Sequence, residues 1–393
     1  MSEPKKYDVI IAGAGPAGST AGYLLSRSGF SVLIIDRQSF PRKKLCAGLI
    51  TNKTVRLLER VFGETGASLK EKEIIDYESS RYEVFCKDKP LFQRDISIPF
   101  RFTDRYVYDH FLLNKARQAG TDLLEDDGVR SLDMLRSTVT TSRGRKFAAD
   151  IIIGADGVNS RIRRSFPVDL FGREDWVENL AVGHEIILGR ASLRKQISTP
   201  MIFFGFIDCG YAWIFPNRER LKIGMCALNK GSRKEILAAF KTFLSSLEIQ
   251  GARDEEIYSY VLPYGNFLPS PVFRNVLLVG DAAGFADPLL GEGIYFAQRS
   301  AELASLSIAN ACRGKKGPEK THESLSNRYL QLLQEHIYPE LLYAGKIRHA
   351  IFSYFNKFRY LPLKIAMTLL GNKPAEAVHG IRSYKWMKKL KGV

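Results

Sequence analysis

Gly13-x-Gly15-x-x-Gly18 is the spacing with which a backbone turn cradles a pyrophosphate. The first glycine permits a tight turn and the second lets phosphates approach the main chain. The third lets a helix pack close against its strand. Asp36 stands 18 residues beyond Gly18, where a carboxylate can accept hydrogen bonds from ribose hydroxyls. A second chemical group follows in the stretch PRKKLCAGLI, residues 41–50, where Cys46 comes just after Arg42, Lys43 and Lys44. If one of these basic groups lies close, the thiol has a lowered pKa and some thiolate at neutral pH; if they point to solvent, it is an ordinary thiol of convenient size. Metal ligation is excluded, because neither the five cysteines nor the six histidines show ligand spacing.

These groups must be positioned by a strand–turn–helix–strand unit. Residues 7–12, YDVIIA, read as a buried parallel strand, short, apolar and β-branched. A helix opening in the glycine turn runs to near Gly29, and SVLIID is a second strand ending at Asp36. KFAADIIIGADGVNSRIRRSF and RNVLLVGDAAGFADPLLGEGIYFAQRSAELASLSIANA repeat the order strand, glycine turn, helix. Between 80 and 101, and from about 178 to 265, alternating patterns indicate antiparallel strands, interrupted by the helical SRKEILAAFKTFLSSL. The residues from 320 onward are mostly helical by pattern.

The motifs GADGVNSRIRR (154–164) and VLLVGDAAGFADPLLGEGIYFA (276–297) resemble the Asp-Gly and Gly-Asp motifs of the p-hydroxybenzoate hydroxylase superfamily of FAD-dependent oxidoreductases. The resemblance selects FAD over NAD. It implies that Asp281 holds the ribityl chain and that the helix opening at Gly291-Glu-Gly293-Ile294 points at the pyrimidine edge of the flavin. A helix N-terminus there suits the negative charge of reduced flavin. Arg105 matches an arginine near the FAD phosphates. Ala17, Arg37, Cys46, Ala47, Gly48, Val129, Asp156 and Gly157 complete the implied cofactor contacts, with Asp156 able merely to hold its turn. The fold that follows is α/β: a Rossmann-type FAD-binding domain (1–79, 102–177 and 270–319), an inserted antiparallel-sheet substrate domain (80–101 and 178–269), and a C-terminal helical region (320–393).

Within that superfamily the chain resembles the geranylgeranyl reductases, which saturate isoprenoid double bonds. The proline-to-cysteine stretch carries part of this resemblance, YAWIFPNRERLKIGMC (211–226) a second part, although Cys226 stands where that group has a glycine, and an overall length near that of the archaeal lipid-reducing members the third. Alternation sends Tyr211, Trp213 and Phe215 to one face, with Pro216 closing the strand. Such an aromatic wall suits a hydrocarbon that offers shape and no hydrogen bonds; ordinary sheet core is the other reading. Flavin-dependent halogenases have a related Trp-x-Trp-x-Ile-Pro segment. His184 lies on a strand that borders the substrate in this superfamily. The implied reaction is hydride transfer from reduced FAD to one alkene carbon with a proton arriving at the other, from Cys46 or from a water. An isoprenoid lipid, a quinone or a prenyl diphosphate is the implied substrate, and NAD(P)H or ferredoxin the electron donor. An aromatic monooxygenase or halogenase on the same scaffold differs by consuming oxygen. A flavin electron carrier or lipid-binding flavoprotein differs by leaving bound lipid unchanged.

Composition narrows the setting. Hydrophobic content of 45% with 25% charged residues is that of a folded globular chain. Scattered cysteines suggest a reducing, cytoplasmic location, and no apolar run approaches the length of a membrane span. The net charge of +16 is uneven: after Glu340 the sole acid is Glu376, among eleven lysines and arginines. Basic residues mixed with Phe, Tyr, Leu and Ile are the composition of helices that rest on anionic lipid, or of a helical cap with a solvated basic face. Nothing resembles a nucleic-acid recognition module.

Overall fold

A computed structural model describes residues 4–167, 173–193, 196–228, 233–247, 257–312, 318–358, 360–385 and 387–390. Its first sheet is built on the strand Lys5–Ala12, which pairs in parallel with Val32–Ile35 on one side and Lys146–Gly154 on the other. Covered on both faces, these strands can be continuously apolar, as in Val9-Ile-Ile11 and Ile151-Ile-Ile153. Val276–Leu278 and Asp122–Leu124 extend the parallel order outward. The carboxyl ends of four strands therefore open at one edge, placing Gly13, Asp36, Asp156 and Asp281 together. An open parallel sheet presents its ligand crevice there.

The second sheet has eight strands, in the order Tyr258–Pro263, Leu180–Gly189, Arg220–Leu228, Gly210–Pro216, Met201–Phe204, Tyr77–Cys86, Lys89–Phe102 and Leu49–Ile50. A parallel pairing of Met201–Phe204 with Tyr77–Cys86 joins its two stretches of chain. The helix Arg233–Ser246 covers one face through Phe240 and Phe243. The other face looks toward the crevice of the first sheet. The helices Tyr338–Ala350 and Leu361–Leu370 close over that space. No helix of the described residues is long and apolar enough to cross a membrane, and no disulfide joins the five cysteines.

One expected element differs. The strand Lys146–Gly154 leads into a single 3-10 turn, Arg163–Ser165, rather than an α-helix. The Asp156 carboxylate accepts from the Arg161 and Ile162 amides at 2.6 and 3.3 Å. Arg163 turns inward to donate to the carbonyls of Val158 and Ala282. Pro167 then follows Phe166, whose extended backbone ends the turn.

Candidate active site

The glycine turn shows why its residues are glycine. Gly13 has φ +102°, and a Cβ there would lie 2.4 Å from the Ala155 carbonyl oxygen; on Gly18 it would lie 1.8 Å from the Gly13 oxygen. Gly15 is different, since its missing Cβ would meet only the Arg42 guanidinium, at 3.5 Å, beside the cavity. The helix Pro16–Arg27 begins here with no side-chain cap, so its first amides keep their capacity for an anion. Asp36 accepts from the Ala14 amide at 2.7 Å and the Gln38 amide at 2.9 Å, which fixes the carboxylate at the cavity edge.

From this end a single cavity of about 1340 Å³ runs between the two sheets. That exceeds the roughly 300–1,000 Å³ of common small-molecule sites, leaving room for a dinucleotide and a further long ligand. Arg37, Arg42, Lys43 and Lys44 make its first part basic. Arg42 reaches the buried Asp109 at 3.1 Å, and Arg105 grips the same carboxylate with two bonds of 2.6 and 2.7 Å. Arg105 also stands beside the Cys46 sulfur. Lys44 faces Asp281 at 4.0 Å, and burial pulls its pKa down. Arg42 and Lys44 thus face inward, and the cation beside the thiol is Arg105, from a different element. Gly48 donates its amide to the Cys46 sulfur at 3.4 Å. Its φ is +80°, and a Cβ on it would come within 2.2 Å of the Thr103 oxygen.

The opposite wall of this part is the loop before helix Ile294–Cys312. Gly291 has φ +67°, and Gly293 lies close to the Asp281 carboxylate. Glu292 accepts from the Thr51 hydroxyl at 2.6 Å and pairs with Lys53 at 2.6 Å. Its carboxylate therefore ties this loop to the segment that follows Cys46.

Beyond Cys46 the lining becomes apolar. Tyr211, Trp213 and Phe215 share one face of their strand, with successive ring centroids 5.8 and 6.3 Å apart. Gly224, cross-strand from Trp213, makes room for the indole: a Cβ there would fall 2.2 Å from the ring. The Tyr260 ring crosses Gly183 in the same manner, 2.5 Å from where a Cβ would be. Cys226 pairs with Tyr211 in the ladder, and burial pushes its thiol up to about 12. Ile347, Ile351, Leu363, Met367 and Val378 complete the far end.

Of the residues singled out in the sequence, Gly13, Gly15, Ala17, Asp36, Arg37, Cys46, Ala47, Gly48, Arg105, Val129, Asp156, Gly157, Tyr211, Trp213, Phe215, Asp281, Gly291, Gly293 and Ile294 line this cavity. Gly18 sits behind the turn. Pro216 and His184 are corrections: neither lines the cavity. Pro216 shares the phase of Ala212 and Ile214, which pack under helix Arg233–Ser246. His184 points the same way, stacked on Phe240 with Nδ1 2.8 Å from the Ser259 hydroxyl, and burial lowers its pKa. Its neighbour Glu185 faces the cavity side instead, fully buried, as does Lys222. No spacing signal marked that pair; only the register across strands identifies it.

Basic groups and free helix amides at one end, a helix-opening glycine loop in the middle and an aromatic wall beyond fit FAD followed by an apolar ligand. The comparisons with known proteins support the cofactor. The family model described as FAD binding domain matches residues 6–199. A geranylgeranyl diphosphate reductase of Rhodobacter capsulatus is 29% identical over 316 residues, covering 76% of this chain and 74% of that one. A digeranylgeranylglycerophospholipid reductase of Methanothermobacter thermautotrophicus is 28% identical, covering 78% of each chain. Among solved structures, a geranylgeranyl bacteriochlorophyll reductase-like protein of Thermoplasma acidophilum superposes with TM-score 0.77 at 16% identity, covering 91% of this chain and 90% of that one.

Proposed function

The chain belongs to the geranylgeranyl reductase family of FAD-dependent oxidoreductases acting on CH–CH groups, and from that premise we propose that it saturates double bonds of an isoprenoid chain carried on a lipid, a quinone or a diphosphate. The observation that carries this reading is the continuity of the cavity: the loops that would hold the flavin open directly onto the Tyr211–Trp213–Phe215 wall. Bound and reduced, FAD supplies a hydride to one alkene carbon. NAD(P)H or a ferredoxin is the source of the electrons.

The chain's own residues do the rest. Gly13, Gly15 and the helix opening at Pro16 bind the pyrophosphate, with Arg42 and Arg105 as counter-charges. Asp36 takes the ribose, and Asp281 the ribityl chain. The aromatic wall orients a chain that has no polar handle and excludes water from it. Cys46 donates the proton to the second carbon and is restored from solvent. Cys46→Ala is therefore expected to keep FAD at wild-type content while alkene reduction slows by about 100-fold or more, measured by anaerobic single turnover. Full activity in that variant would reduce Cys46 to a packing residue.

The substrate end of the cavity supports delivery from a lipid surface. Helix Leu361–Leu370 is apolar on two faces: Leu363, Met367 and Leu370 line the cavity, whereas Leu361, Ile365 and Leu369 are exposed, Leu369 by 80%. Tyr354 and Phe358 extend the exposed row, and Lys357, Lys364 and Lys373 flank it. An apolar ridge set among cations is the arrangement that enters an anionic bilayer surface. Replacing Leu361, Ile365 and Leu369 together by Ser is expected to weaken sedimentation with phosphatidylglycerol vesicles by at least about tenfold, with FAD retained. Unchanged sedimentation would remove the membrane from this account.

A further inference from the structure

The cavity-facing side of the second sheet carries two charged residues within an otherwise aromatic wall. Glu185 is fully buried, and neither carboxyl oxygen makes a hydrogen bond of normal geometry. The indole N–H of Trp213 is likewise without one. The carboxyl group nevertheless has Trp213, Lys222 and the backbone amide of Cys46 as its interacting neighbours. Lys222, also buried, donates to the Thr103 carbonyl at 3.1 Å. Thr103 in turn donates its amide to the Gly48 carbonyl at 2.9 Å. A Cβ on Gly48 would lie 2.9 Å from the Lys222 ammonium. The acid thus stands at the Cys46 end of the Cys46–Ala47–Gly48 loop and the ammonium at its Gly48 end.

A buried carboxyl without a satisfied hydrogen bond is costly to a fold. A hydrophobic side chain would pack against the aromatic wall at lower cost, so the pair needs a reason beyond stability. We propose that Glu185 and Lys222 are positioning residues that seat the Cys46–Gly48 loop against the flavin, the loop following the charge state of Glu185. When Glu185 is ionised, it draws on the Cys46 amide and on Lys222 together, holding both ends of the loop. When it is protonated, Lys222 is left to the Thr103 carbonyl, and the Cys46 amide loses its charged acceptor. No atom of substrate is involved, so the inference rests on the FAD assignment but not on the identity of the alkene.

The surroundings place that change in an accessible pH range. Burial pushes the Glu185 carboxyl up from 4.5 to about 7, against the opposing pull of Lys222. The other titratable groups that act on Glu185 and Lys222 are Asp104 at the head of helix Arg105–Gln118, Tyr260 on the neighbouring strand and Asp76 near Lys222. The folded protein keeps a proton that the unfolded chain has released, so stability falls as pH rises from 4.5 to about 7.

The test uses purified holoprotein, oxidised and without substrate. Visible absorption and circular dichroism of bound FAD are recorded over about two pH units on either side of 7. The wild type is expected to show a one-proton transition near the middle of that range. Glu185→Gln, which keeps size and an acceptor but cannot ionise, should abolish it. Lys222→Met, which removes the favourable positive charge, should move it to higher pH. A purely structural role would leave the flavin spectrum independent of pH or would leave the transition in place in Glu185→Gln. Either result overturns the proposal. Loss of alkene reduction with the transition intact would instead count against the reductase reading, and so the two failures are distinguishable.

Discussion

Gly18→Val is expected to fold but to purify without yellow colour. Gly18 does not line the cavity, so the effect is indirect. Any Cβ at this position falls 1.8 Å from the Gly13 oxygen, which is backbone and cannot rotate away. The helix Pro16–Arg27 must therefore shift off its strand, carrying its uncapped amides away from the pyrophosphate position. Those amides and the helix dipole are the main anion donors of the turn. FAD content, read from visible absorption against protein, should fall to below about a tenth of wild type, the equivalent of losing about 1.4 kcal/mol or more of binding. The first sheet should survive, because Ile10, Ile11, Ile34 and Ile153 remain packed in its core. A variant that binds FAD normally would show that the turn does not carry the cofactor.

The second large effect concerns the wall. Trp213→Ala removes the ring that lies between Tyr211 and Phe215 and that Gly224 was shaped to admit. The residues proposed to hold FAD lie on other elements, so flavin content should stay near wild type. The alkene, however, loses the surface that fixes it over the flavin, and misplacement by about 1 Å costs on the order of 100-fold in rate. Anaerobic alkene reduction should fall by about that factor. Truncating a buried Trp also destabilises a core by roughly 3–5 kcal/mol. Trp213→Phe is the companion: it keeps most of the packing and should recover most of the rate if the wall acts by shape. Equal rates in all three proteins would return the aromatics to ordinary sheet core.

What the sequence made legible was chemistry tied to local backbone. The glycine turn, Asp36 and the GEGI helix opening are each defined within a few residues, and each lies at the cavity as that local geometry requires. Tyr211, Trp213 and Phe215 were legible because alternation within one strand fixes which residues share a face. Alternation does not fix which face is which, however, and LAVGHEIILG (180–189) is apolar in both phases. His184 therefore read as the polar residue of interest, whereas the ladder with Arg220–Leu228 turns Glu185 toward the cavity. A shift of one position reverses every side chain. The Glu185–Lys222 pair was invisible for a related reason, since it depends on two strands meeting in a particular register across more than thirty residues of chain. The segment after Gly154 misled in the opposite way. Its pattern repeats the strand–turn–helix theme, but Asp156 holds the Arg161 and Ile162 amides in a non-helical turn. The basic tail announced a surface by composition, yet its inward row of Leu363, Met367 and Leu370 emerges only once helix Leu361–Leu370 is seated over the cavity.

Cys46 has a sharper place than its basic neighbours in sequence suggested. Arg42 is committed to Asp109, Lys44 faces Asp281, and the guanidinium beside the sulfur belongs to Arg105. Arg105 is itself held by Asp109, so the same carboxylate organises two guanidinium groups at the cavity and the setting of the thiol.

The central claim is that FAD and the aromatic wall together saturate an isoprenoid alkene. Its most direct test is anaerobic incubation of the chemically reduced holoprotein with geranylgeranyl-bearing lipid, quinone and prenyl diphosphate in turn, followed by mass spectrometry of each. At least one of them is expected to gain two hydrogens per double bond, with stoichiometric reoxidation of the flavin. Unchanged masses for all three, or a product that forms only with oxygen and gains an oxygen atom, would contradict it.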